Sequence, residues 1–306
     1  MTNRADTYIG DSMNCIELKN ISKLYGKKRG VSDISFSVKK GSIFGLIGPN
    51  GAGKSTIIKL ISGILKPDSG EINVLNRNPS CDIKELSQHY GLMFGNRSSL
   101  WFNLKAKESL LLMKDIYGID NKKYNISLEK YASILNAEKL LEKQVRLMSL
   151  GERIKIEILT SLIHEPDLLI YDEPTIGLDI VSKLSFRQIL NDIKAEGKTI
   201  LITTHDLFDV EKICDDIILI NDGKILLDMD YDKLKNRQNE YSILNIVVPI
   251  DRLKEYFIEE NHGVYKYILT KDLALELNLE FAKIYSPESY QFIKPNLEEL
   301  LYEYYH

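Results

Sequence analysis

From about residue 15 the chain alternates short apolar, β-branched runs with stretches whose apolar residues recur every three or four positions, the pattern of an α/β domain with a largely parallel sheet. The runs predict strands at Cys15–Leu18, Val31–Val38, Ser42–Ile47, Tyr90–Met93, Leu168–Tyr171, Thr199–Thr203 and Asp216–Ile220. Within them LLIY, TILIT and DIILI are continuously apolar instead of alternating, which predicts central strands covered on both faces. Between Leu104 and Leu147 the strand pattern gives way to KESLLLMKDIYGI and LEKYASILNAEKLLEK, which predict a helical insertion; with its flanks it spans about residues 98–163.

A turn and β-run, NDGKILLDMD, close this domain, taken as residues 14–232, and the polar stretch KLKNRQNE (233–240) reads as a linker. Residues 241–306 then predict a small α/β unit: strand Ile243–Val248, helix Asp251–Glu260, an Asn-His-Gly turn, strand Val264–Leu269, helix Asp272–Asn278 and a strand near Ala282–Tyr285. Pro295-Asn296 opens a last helix with Glu298 and Glu299 in its first turn, where the helix dipole favours acids. Nine of the 17 tyrosines lie in this unit, enough aromatic area to fold instead of trailing as an acidic tail.

Composition narrows the function. The formal charge of −4 gives no global field for nucleic acid or an anionic membrane surface, and no nucleic-acid partner is expected. The −4 is uneven: residues 251–306 carry 6 basic and 11 acidic side chains. No window approaches the roughly 18 consecutive apolar residues of a spanning helix, and MTNRADTYIGDSMN has no signal-peptide core, so a cytoplasmic protein is expected, peripheral on the membrane only through a partner. Cys15, Cys81 and Cys214 have no metal-ligand spacing and read as buried free thiols.

The strongest chemical signal is the strand SIFGLI running into Gly48-Pro49-Asn50-Gly51-Ala52-Gly53-Lys54-Ser55-Thr56 and then the helical IIKLISGIL. This is a P-loop in its required strand-to-helix context: the glycines let backbone N–H groups turn around a polyphosphate, and the helix N-terminus adds positive dipole. Lys54 would reach the terminal phosphates and Ser55 would ligate Mg²⁺. Downstream, LLIYDE ends an apolar strand in two carboxylates, Asp172 to hold Mg²⁺ and Glu173 to orient and deprotonate an attacking water. The strand TILITT ends at His205, again at a carboxyl edge where α/β sites assemble.

The combination resembles the ATP-binding subunit of an ABC transporter over roughly Cys15 to Asp228. Met148-Ser149-Leu150-Gly151-Glu152-Arg153 looks like the LSGGQ signature, EPTIGLD like the D-loop with Asp179, TTHD like the switch-histidine motif with His205, and ISKLYG like the A-loop with Tyr25. The resemblance implies an α/β P-loop NTPase fold, an ABC cassette of mixed sheet core plus inserted helical subdomain, here with a small C-terminal α/β extension. It implies ATP and Mg²⁺ as ligands, adenine stacked on Tyr25, and a γ-phosphate read by His205 and by Ser149 and Gly151 of a second copy, so that ATP joins a homodimer. Three positions depart from the pattern. Leu150 replaces a signature glycine, Glu152 a glutamine, and Asn96, in FGNRSSLW, takes the place of the Q-loop glutamine that would touch nucleotide and Mg²⁺.

FGNRSSLWFNL, with the signature and D-loop segments, looks most like the ATPases of two-component exporters, whose membrane permease is a separate chain. Trp101-Phe102 then reads either as core packing or as a permease contact. Residues 241–306 regulate the ATPase, dimerise, or pack on the core. The leading function is ATP hydrolysis powering export through that permease; the alternative is a soluble ABC-type ATPase acting as an assembly or scaffold factor.

Overall fold

The computed structural model, described for residues 13–26, 28–95, 97–205, 207, 212–297 and 299–301, divides into two compact units, Met1–Asp228 and Met229–His306. In the first, the apolar strands form the middle of a six-stranded sheet ordered β5-β6-β7-β3-β8-β9: Tyr90–Phe94, Leu168–Asp172, Thr199–Thr204, Ile43–Ile47, Asp216–Asn221 and Lys224–Asp230. The ladders β5·β6, β6·β7, β7·β3 and β3·β8 are all parallel. Every residue of β3, β6 and β7 is buried, as continuous apolar runs require. Each fully buried Leu or Ile contributes about 1.5–3 kcal/mol relative to exposure.

A second, antiparallel sheet, β2-β1-β4 (Lys28–Lys39, Asn14–Tyr25, Ser69–Val74), shares one core with the first, made by Ile16, Ile34, Phe36 and Val38 against Phe44, Leu168, Leu201 and Ile218. Phe36 and Phe44 stack with ring centroids 5.4 Å apart. Helix α1 (Lys54–Ile61) buries Ile57, Ile58, Leu60 and Ile61 in the same core, which fixes the loop before it. After the short α2 (Ile83–Leu86), helices α3 (Ala106–Tyr117), α4 (Asn121–Ile134) and α5 (Leu150–Leu162) fall between β5 and β6, and α6 (Ile180–Ala195) between β6 and β7.

The second unit corrects several expectations. The stretch 233–240, expected as a linker, is mostly helix: α7 (Tyr231–Gln238) starts where Asp230 accepts from the Asp232 N–H, and it buries Leu234. Strand β10 (Tyr241–Ile246) stops two residues before Val248. The expected helix Asp251–Glu260 is a 3-10 segment to Tyr256 followed by β11 (Phe257–Asn261), because His262 and Gly263, both at positive φ, form a tight hairpin turn into β12 (Val264–Thr270). Helix α8 (Lys271–Ile284) continues through the expected strand at Ala282–Tyr285, and the strand comes later as β13 (Tyr290–Ile293). The sheet β11-β12-β10-β13 packs one face on α8 through Leu244, Tyr267, Leu277 and Phe281. Asn296 opens the last helix, accepting from the Glu299 N–H at 2.8 Å while Glu299 accepts from its N–H; Glu298 lies outside the described residues.

None of the three cysteines forms a disulfide; Cys15 and Cys214 are buried as expected, and Cys81 is exposed. Among the described residues no helix is long and apolar enough to cross a membrane. Trp101 and Phe102 are 42% and 48% exposed, which overturns the core-packing reading.

Candidate functional site

The loop between β3 and α1 is shaped by its glycines. Gly51 and Gly53 stand at φ +86 and +111, left-handed backbone that other residues rarely adopt. A side chain on Gly48 would run into the Ile220 carbonyl at 2.2 Å, whereas one on Gly51 would meet nothing within 4 Å. The loop therefore packs tightly on its inner side and opens at Gly51. Helix α1 starts on Gly53 with no side-chain cap and no acid in its first turn, an N-terminus finished to receive an anion.

The ends of β6 and β7 deliver side chains to this loop. Ser55 donates to Asp172 Oδ2 at 2.9 Å, and Thr203 donates to Asp172 Oδ1 at 2.6 Å, so both carboxylate oxygens are fixed by hydroxyls. Lys54 is almost fully buried; it donates to the Gly48 and Pro49 carbonyls at 2.7 and 3.1 Å and pairs with Glu173 Oε1 at 3.0 Å. The other Glu173 oxygen meets His205 Nδ1 at 2.8 Å. Glu173 itself sits at φ +53, a conformation that costs a residue with a Cβ about 1–2 kcal/mol. Its N–H is held by the Thr203 carbonyl and hydroxyl at 3.1 and 3.0 Å. This turn sends two adjacent carboxylates to different partners: Asp172 to hydroxyls, Glu173 to a lysine and a histidine.

An open cleft of ≈ 330 Å³ is lined by Tyr25, Gly30, Asn50, Gly51, Lys54, Ser55, Thr56 and Glu173. The Tyr25 ring lies so close over Gly30 that a Cβ there would stand 2.7 Å from it, leaving an exposed flat face beside the loop. Hydroxyl and carboxylate oxygens from Ser55 and Asp172, adjacent to the glycine cradle, are the hard donors that suit Mg²⁺ beside a polyphosphate. The residues present thus fit a magnesium nucleotide. Asn96 lies outside the described residues.

Ser149, Gly151, Glu152 and Asp179 form a second group. Ser149 caps α5 by a closed box: its hydroxyl accepts from the Glu152 N–H at 3.2 Å and its N–H donates to Glu152 Oε2 at 2.8 Å. Lys143 donates to the same oxygen at 2.6 Å and, with the Ser149 N–H, holds the Glu152 carboxyl below its ordinary range. Asp179 caps α6, accepting from the Ser182 N–H and hydroxyl at 2.8 and 2.9 Å, which keeps its carboxyl below the usual range as well. A Cβ on Gly151 would lie 2.6 Å from the Ser182 hydroxyl, so glycine is what lets α5 begin against α6.

A family profile described as ABC transporter matches residues 31–176. One relative, "ABC transporter ATP-binding protein NatA" of Bacillus subtilis, is 33% identical over 215 residues, 69% of this chain and 87% of its own length. The chain belongs to the ABC transporter ATP-binding family. The bacitracin transport ATP-binding protein BcrA of Bacillus licheniformis is 32% identical over 84% of this chain and 82% of its own length. Among solved structures, cbiO1 from Clostridium perfringens, part of an ABC transporter complex, is similar with a TM-score of 0.68 and 25% identity, covering 74% of this chain and 92% of that one.

Proteins of this family are ATP-binding subunits of transporters. In this cassette Gly30 contributes to the site without belonging to any motif read from the sequence, and Thr203, the first residue of TTHD, contributes through a hydroxyl to which the motif reading gave no role. Thr203 carries the one available signal, a hydroxyl at the carboxyl end of a buried strand; Gly30 carries none.

Proposed function

We propose that this cassette hydrolyses ATP to power export of a substrate through a separate membrane permease, working as a homodimer closed by two nucleotides. The observation that carries this reading is the meeting of Lys54, Ser55, Asp172, Glu173, Thr203 and His205, drawn from the loop after β3 and the ends of β6 and β7, at one glycine-lined cleft.

Lys54 and the first-turn N–H groups of α1 bind and orient the phosphates, and Tyr25 stacks on adenine, worth about 1–3 kcal/mol by comparison with other base–aromatic contacts. Ser55 and Asp172, with Asn96 as the third expected ligand, would hold Mg²⁺, which would supply charge neutralisation on the phosphates when bound. Glu173 takes the proton of the attacking water, and His205, already hydrogen-bonded to it, orients that carboxylate and reads the terminal phosphate. Ser149 and Gly151 of one copy complete the site of the other, with Asp179 alongside. The cassette works at the inner membrane face, held by the permease against the exposed Trp101 and Phe102.

Affinity-tagged protein extracted from cells in mild detergent is expected to bring down an integral membrane protein. Recovery of soluble partners alone would replace this reading with that of a soluble ABC-type assembly factor.

A further inference from the structure

Glu157 is a carboxylate that the nucleotide chemistry leaves unused. It lies eight residues along α5 from Ser149, about 12 Å at 1.5 Å per residue, and is only 7% exposed. Its hydrogen-bond partners are neutral. Oε1 accepts from the Ser98 hydroxyl, and Oε2 accepts from the Ser99 N–H at 3.2 Å and the Ser99 hydroxyl at 2.5 Å. The Ser98 oxygen in turn accepts from the Leu100 N–H at 3.1 Å, so a single buried carboxylate shapes the turn Ser98–Leu100.

Among the described residues Glu157 has no ion pair, and a buried carboxylate so placed is tolerated only while its lone pairs are filled; losing those donors leaves the full desolvation penalty exposed. Glu157 and the turn therefore hold together or separate together. A second tie runs the same way: the Arg153 guanidinium sits 5.6 Å from the centre of the Phe102 ring. At its other end this loop begins on Gly95, whose N–H donates to the Asp172 carbonyl at 2.7 Å and where a Cβ would stand 2.3 Å from the Glu173 carbonyl. Gly95 thus leans on the backbone of the two carboxylates.

Resting on the ATPase reading above, we infer that Glu157 is a positioning residue that makes the turn Ser98–Leu100 and helix α5 one body. The start of α5 then cannot move toward a partner's nucleotide without drawing on Gly95 and on the backbone that carries Asp172 and Glu173. The site this chain keeps is thereby coupled to the Ser149 segment it lends to the second copy.

The test uses the full chain with Glu157→Gln, the loop-side pair Ser98→Ala/Ser99→Ala, all three changes together, and Glu157→Asp. Glu157→Gln and the serine pair are each expected to lower kcat about tenfold with the KM for ATP within threefold. The triple variant is expected to be no slower than the slower of the two, and Glu157→Asp to recover part of the rate. Amide exchange supplies a readout free of turnover: in the unsubstituted chain ATP slows exchange in 99–104 and 149–153 together, and in Glu157→Gln only 149–153 responds. Unchanged kcat, additive losses, equal losses in kcat and KM, or joint slowing that survives Glu157→Gln would each overturn the coupling. If the unsubstituted chain binds ATP without turning it over, the ATPase reading fails by itself and the exchange result still decides.

Discussion

Under the proposed function the first turns of α1 and α5 both hold phosphate, yet they are finished in opposite ways. Helix α1 begins on a bare Gly53 with no acid in its own first turn, and its hydroxyl, Ser55, is met by a carboxylate 117 residues away. Helix α5 closes on itself within three residues, Ser149 with Glu152, and Lys143 pins the same carboxylate. One end is assembled by tertiary structure and stands open; the other is assembled locally and is satisfied until an anion competes with Glu152. Under that reading, a cassette built this way would hold nucleotide on its own α1 before α5 could serve a second copy.

The largest effect should come from the α1 side. Glu173→Gln removes the proton acceptor and is expected to cut turnover at least a hundredfold while an ATP-bound dimer accumulates in size-exclusion chromatography. Turnover near that of the unsubstituted chain would show that another group takes the proton. The α5 side should respond the other way: Glu152→Gln removes the competing charge, so the ATP concentration for half-maximal dimerisation should fall about threefold, of order 0.6 kcal/mol at 1.4 kcal/mol per tenfold. An unchanged or higher concentration would mean that the cap and the phosphate do not compete.

The smallest effect tests the far end of α5. His164, just beyond its C-terminus, stacks on Tyr117 at 4.0 Å and donates from Nε2 to the Tyr90 carbonyl at 3.0 Å, while Nδ1 is buried with no hydrogen-bond partner among the described residues. Burial pushes its pKa from 6.5 down to about 4. The folded state thus resists the proton that the unfolded chain accepts. Stability is therefore unaffected by this ring above pH 6.5 and falls as pH drops toward 4, where only the unfolded chain takes the proton, by about 3 kcal/mol in all. Urea unfolding at pH 7 and 4.5 should show His164→Gln losing less stability on acidification than the unsubstituted chain; equal losses would place the titrating group elsewhere.

Motif chemistry is legible in the amino-acid sequence wherever contiguous residues carry it. The loop Gly48–Thr56, Asp172-Glu173 and the Ser149 segment each announce a backbone geometry through glycine, apolar run and cap. Contacts that depend on folding are silent. Gly30 and Glu157 matter because a neighbouring ring or loop arrives beside them, and neither has a signature of its own; Thr203 sits inside TTHD, but its bond to Asp172 exists only once the two strands pair. The weak strand Ser69–Val74, SGEINV, has too few apolar residues to stand out and exists because β1 pairs with it. In the second unit, DRLKEYFIEE has helix-like composition, yet Phe257–Asn261 joins β12 because the hairpin turn satisfies its backbone and Ile258 finds the apolar face of the sheet. The polar KLKNRQNE forms helix around one buried leucine, a pattern composition alone assigns to a connector.

Trp101 is the only tryptophan in the chain, and its indole lies in water one residue beyond the turn shaped by Glu157. Its fluorescence therefore reports a single place. The emission maximum and its quenching by iodide follow this loop alone, in the native protein and without an attached dye, as nucleotide or a membrane partner is added.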